Sequence, residues 1–144
     1  MSATVSVTAA RPDKTLVISL WTAQVLLAAL FGMAGVMKTF MSVPALMANG
    51  ISYASALPLG LLRFIGIAEL SGALGMLLPA LTHIRPRLTP LAALGLVTIQ
   101  VLAIGFHASR GELKMALPFN IVLLSVSLFV WWGRTFKAPL AARI

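Results

Sequence analysis

Residues 61–79 read LLRFIGIAELSGALGMLLP, a run long and apolar enough to cross a bilayer as one helix, yet it holds an arginine and a glutamate. A hydrocarbon core takes about 20 apolar residues to span, and an ionised side chain at its centre costs roughly 2.5 kcal/mol or more. At helical rise Glu69 lies about 15 Å from each of the flanking prolines, Pro58 and Pro79. That places it at mid-bilayer, where a carboxyl group should face the interior, find a donor or stay protonated.

The rest of the chain agrees with a membrane setting. Of 144 residues, 60% are hydrophobic and 10% charged, and the mean hydropathy is +1.00, far from the range of soluble domains. Four apolar runs stand out, at residues 16–37, 57–78, 88–107 and 115–132. Each is near spanning length, so the expected fold is all-α, a transmembrane antiparallel four-helix bundle with left-handed packing. Pro58, Thr89-Pro90 and Pro118 read as helix starts, and Pro79 as lying just past a helix end. The last boundary has two readings, because Gly111-Glu112 can also open the fourth helix and leave Pro118 as an internal kink. Residues 1–15 are expected to be a flexible cytoplasmic tail, and 135–144 a cytoplasmic tail.

The first run follows Arg11 and Lys14 as a secretory signal would, but it exceeds the roughly 7–15 apolar residues of such a segment. It is therefore read as a retained span. With four spans the termini share a side with the 79–90 loop, and that side carries Arg11, Lys14, Arg85, Arg87, Arg134, Lys137 and Arg143. The opposite side has Lys38, Arg110 and Lys114. The positive-inside rule places both termini in the cytoplasm, in a multi-pass protein of the plasma membrane. The formal charge of +8 is scattered between apolar runs, so no nucleic-acid partner is expected.

Polar residues fall on one stripe of each run. Gln24, Ala28, Phe31, Gly35 and Lys38 alternate steps of four and three, as do Leu62, Gly66, Glu69, Ala73 and Met76. Ala93, Gln100 and His107 recur at sevens, and Asn120, Leu124, Ser127, Trp131 and Arg134 continue the pattern in the last run. This is the 3.5-residue seam of packed helices. Gln100 is the candidate hydrogen-bond partner of Glu69 by depth. Arg63 is expected to reach toward the mouth opposite the termini, where the topology also delivers Lys38, His107, Glu112 and Asn120. The result is a polar funnel with a cationic rim and an acidic floor. The plainer alternative makes Lys38 and Arg63 helix-end anchors, and Glu69 with Gln100 interhelical glue. The long connection 38–56 should be structured against this mouth, its methionines serving as packing filler.

The segments FGMAGVMKTF (31–40), RFIGIAELSGALGMLLP (63–79), RLTPLAALGLVTIQVLAIGFHASRGE (87–112) and NIVLLSVSLFVWWGR (120–134) together resemble the DoxX-like family of small four-helix membrane proteins. The resemblance rests on Gly35, Lys38, Arg63, Gly66, Glu69, Gly72, His107 and Asn120 in order. It implies a four-helix bundle associated with membrane redox reactions, since the wider group includes a quinone-linked thiosulfate oxidoreductase subunit. This chain has no cysteine, which sets it apart from thiol-using relatives.

Three functions follow from these residues. In a redox-associated subunit, Glu69 carries protons, Gln100 orients it and His107 or Glu112 links it to water, while Lys38, Arg63, Glu112, Asn120, Gly35 and Gly66 surround a lipophilic ligand. The chain has no sequence signature for a cofactor or metal of its own, so a quinone from the bilayer is the candidate and electrons come from a partner subunit or from the substrate itself. The second is a self-contained isomerase or cyclase acting on a lipophilic substrate. The third is a non-catalytic scaffold or transport component, with transport favouring a homo-oligomer.

Overall fold

The computed structural model describes residues 12–143; residues 1–11 of the expected N-terminal tail, including Arg11, lie outside the described residues. Four long helices form the bundle: α1 (Lys14–Phe40), α3 (Leu59–Thr82), α4 (Leu88–Ser109) and α5 (Leu113–Trp132). Between the first two lie the short α2 (Val43–Ala48) and a 3₁₀ turn, Ser52–Ala56. All four long helices have the length and hydropathy to cross a membrane. Large apolar side chains such as Ile18, Met33, Phe64, Ile67, Leu102, Phe119 and Val122 lie exposed on their outer faces. Water would penalise this surface at about 25 cal/mol per Å², and lipid does not. This is a multi-pass membrane protein.

Chain connections set the topology. Asp13 caps α1 by accepting from the Thr15 N–H, and the tight turn Arg110–Glu112 returns α5 antiparallel to α4. The helices contact in the ring order α1, α3, α4, α5, with α1 on α3 the most extensive interface. That interface is close because two glycines face it. A β-carbon on Gly35 would sit 2.7 Å from the Leu70 nitrogen, and one on Gly66 would sit 2.8 Å from the Thr39 nitrogen, so only hydrogen fits between the backbones. The core along the bundle axis contains Leu27, Phe31, Ala73, Met76, Ala93, Leu96, Leu123 and Val130.

The helix limits differ from the sequence expectation at both prolines. Pro79 lies inside α3, which runs on to Thr82, and the nearby Met76 carbonyl accepts a bond from Gln24 Nε2 at 2.9 Å. Pro118 likewise lies inside α5, which opens at Leu113 behind Glu112, so the earlier of the two readings of that boundary holds. The connection 38–56 packs as expected: Leu46, Ala54 and Leu62 form a small buried cluster that roofs this end of the bundle.

At the opposite end the chain after α5 is ordered too. It makes a π-helical turn, Gly133–Lys137, and then crosses the α3–α4 connection, where the Arg143 N–H bonds the His83 carbonyl at 2.9 Å. His83 closes α3 in the left-handed conformation at φ 59°, and its Nδ1 lies 2.9 Å from the Ala141 carbonyl. Arg134, grouped in the sequence with the surface cations of the terminal side, is instead 4% exposed. Its guanidinium turns into the bundle because Gln24 offers a buried acceptor, Oε1, at 2.6 Å from Nε.

Candidate functional site

The site starts from the α1–α3 crossing. With Gly35 and Gly66 in backbone contact, the last turn of α1 stands beside the middle of α3, and Lys38 reaches along α3 to Glu69. Lys38 Nζ donates to Glu69 Oε1 at 2.6 Å, with the two side chains 7% and 6% exposed. The other carboxylate oxygen, Oε2, is buried without a hydrogen-bond partner among the described residues. Arg63 Nη1 donates to the Lys38 carbonyl, closing one of the orphan carbonyls at the α1 C-terminus and placing a cation against the negative end of that helix.

Beyond Lys38 the groups form a line to the surface. The Tyr53 ring, carried by the 3₁₀ turn, has Lys38 Nζ 5.9 Å from its centroid and meets the His107 ring edge-on at 5.2 Å. Phe106 stacks edge-on against both, at 6.1 Å and 5.5 Å. His107 Nδ1 is 3.2 Å from Glu112 Oε2, and Arg110 Nη2 is 2.8 Å from Glu112 Oε1.

The turn that ends this line lies outside the spans. Arg110, which donates to Glu112, and then His107 hold the Glu112 carboxyl below the usual carboxylate range, and the Arg110 guanidinium is correspondingly raised. A carboxyl with a lowered folded-state pKa contributes stability above its ordinary range and loses it as pH falls through the lowered value. In an NMR titration the Arg110 Nε–H signal, whose donor lies 2.9 Å from Glu112 Oε1, should therefore show an acid transition below the usual glutamate range. Glu112→Gln should remove it; if the step persists in that variant, Glu112 is not its source.

The structure thus brings Lys38, Glu69, Arg63, His107 and Glu112 to one end, with two corrections. Gln100 does not bond Glu69: it is buried on α4, but the Glu69 carboxylate is taken by Lys38, whose long flexible side chain supplies a full charge where Gln100 offers only a dipole. Gly35 and Gly66 do not border a ligand space, since each is filled by the facing backbone. Asn120 is buried on α5, and among the described residues no hydrogen bond ties it to Glu69, Lys38 or Arg63. Tyr53 escaped the sequence reading. Its only signal was being the sole tyrosine of the chain, in a loop that the topology delivers to the end bearing His107.

With this geometry in place, comparison with known proteins is decisive. Residues 22–130 match the DoxX-like family, a stretch covering most of the chain and reaching into all four spans. The chain belongs to the DoxX-like family. No curated protein and no solved structure matches it. Within this DoxX-like bundle, the Lys38–Glu69 pair is the chemistry that remains to be explained. Removing two charges from water costs several kcal/mol per ion, and an apolar pair of similar volume often serves stability equally well.

Proposed function

We propose that this DoxX-like protein binds the polar head of a lipophilic molecule, a quinone, at the Lys38–Glu69 pair and passes protons through Glu69, as a component associated with a redox partner subunit. The observation that carries this reading is the unpartnered, buried Oε2 of Glu69 beside an ammonium that also retains donors. A lysine ammonium has three N–H groups, and Glu69 takes one of them at Oε1. A quinone carbonyl accepts from a remaining N–H, and a quinol hydroxyl donates to Oε2, so one site accommodates both oxidation states. Quinone reduction consumes two electrons and two protons. The electrons come from the partner, and the protons arrive along Glu112, His107, Tyr53 and Lys38, with water completing the steps between the rings.

In this reading both termini face the cytoplasm and the pair lies toward the outer leaflet of the plasma membrane. Arg85, Arg87, Lys137 and Arg143 on the terminal side support that orientation even with Arg134 set aside as buried. The test is titration of the purified protein in lipid nanodiscs with a short-chain benzoquinone. Glu69→Gln preserves size but not charge, and Lys38→Gln removes the donor ammonium. Each should weaken binding about tenfold or more, the worth of one charged hydrogen bond. Unchanged affinity in both variants contradicts the proposal. Turnover of quinone by the wild-type protein without a second polypeptide would replace the subunit reading with that of a self-contained enzyme.

A further inference from the structure

The end of the bundle remote from Glu69 contains a second buried polar group with unused capacity. Arg134 is held by Nε to Gln24 Oε1 at 2.6 Å and by Nη1 to the Ala138 carbonyl at 3.3 Å, with its guanidinium 5.2 Å from the Trp21 ring centroid. Its Nη2 is buried and has no hydrogen-bond partner among the described residues. Arg134 also lines a cavity of about 340 Å³ together with Arg87, Thr135 and the apolar Pro86, Pro90, Pro139 and Leu140. A larger, more open hollow of about 890 Å³ adjoins it and adds His83, Arg85 and Arg143. Among the described residues no acidic side chain lines either one.

We infer that this cavity binds an anionic phosphate group through the guanidinium groups of Arg134 and Arg87. Arginine suits such a ligand, because its planar N–H fork matches phosphate oxygens and it keeps its charge in apolar surroundings. The bonds must come from these side chains, since the first amides of α4 are already used. The Leu88 and Thr89 N–H groups bond the Arg85 and Pro86 carbonyls, and Pro90 has none. Apolar walls strengthen the attraction by excluding water. Two sources share this chemistry, an anionic phospholipid headgroup at the membrane surface and a soluble phosphate compound.

The experiment reconstitutes the full-length protein in equal phosphatidylglycerol and phosphatidylcholine, extracts it, and counts retained lipid by native mass spectrometry, with and without inorganic phosphate. The wild type should retain phosphatidylglycerol preferentially. Arg87→Gln and Arg134→Lys should each lower that retention about tenfold, while the exposed Lys137→Gln leaves it unchanged. Arg87 is exposed, so its variant reads binding even if altering buried Arg134 disturbs folding. Displacement by inorganic phosphate supports the site with a soluble source, and resistance to displacement supports it with a lipid headgroup. Equal retention in Arg87→Gln and wild type overturns the inference, as does an equal loss in Lys137→Gln, which would reduce the effect to diffuse surface charge.

Discussion

Lys38→Met should destabilise the bundle by about 3–5 kcal/mol, because it strands the Glu69 carboxylate in an apolar interior with both oxygens unpartnered. Glu69→Leu should cost a similar amount by stranding the ammonium. The double variant should recover most of the loss, since a well-packed apolar pair avoids the desolvation of both ions. Reversible unfolding in mixed micelles reads all three values, and the double-mutant cycle isolates the pair. Additive losses would mean that the 2.6 Å contact does not couple the residues. The same double variant separates fold from function: if stability returns while quinone binding does not, the pair is present for its chemistry.

Gly66→Ala should be nearly as damaging, by about 1–3 kcal/mol, because its added methyl meets the Thr39 nitrogen and the Lys38 β-carbon at 2.8 Å and 2.9 Å. The strain falls on backbone, so α1 must move off α3, and Lys38 moves with it. A loss of quinone affinity should therefore accompany the loss of stability, although Gly66 has no space beside it for a ligand. Gly60, in the first turn of the same helix, would have nothing within 4 Å of an added methyl. Gly60→Ala should leave binding intact and stabilise by about 0.4–1 kcal/mol through the unfolded chain. Equal behaviour of the two variants would show that helix propensity, not the crossing, sets the response.

The four spans were legible because apolar length is a local signal; Pro58 and Pro90 stand at helix starts as their punctuation implies, whereas Pro79 and Pro118 lie inside helices. The buried stripes of α1 and α3 were legible as well: Gln24, Ala28, Phe31, Gly35 and Lys38 are all buried, and so are Leu62, Gly66, Glu69, Ala73 and Met76. In the last span Asn120, Ser127 and Arg134 of the stripe are buried, but Leu123 and Val130 take the intermediate places where the spacing favours Leu124 and Trp131. Both choices satisfy the same three-four spacing, and only contact with the neighbouring helices selects between them.

Pairings across helices were harder to read, for a geometric reason. Periodicity gives the face a residue occupies but not the axial offset of two helices. That offset comes from the Gly35–Gly66 contact, and it brings the end of α1 down to the level of Glu69, where depth counted from helix ends pointed to Gln100. Arg134 lies on the buried stripe as its spacing implies, but it does not count among the solvated cations of the terminal side, since nothing local shows that Gln24 waits for it 110 residues away in sequence. Tyr53 was missed because a loop residue acquires meaning only from the helix end it covers.

The most direct test of the account is the infrared difference spectrum of the reconstituted protein on reduction of bound quinone by an added electron donor, recorded for wild type and Glu69→Gln. Proton passage through Glu69 predicts a carboxylate band exchanging with a carboxylic acid band in the wild type and absent from the variant. Quinone that binds and is reduced with identical spectra in both proteins would contradict it.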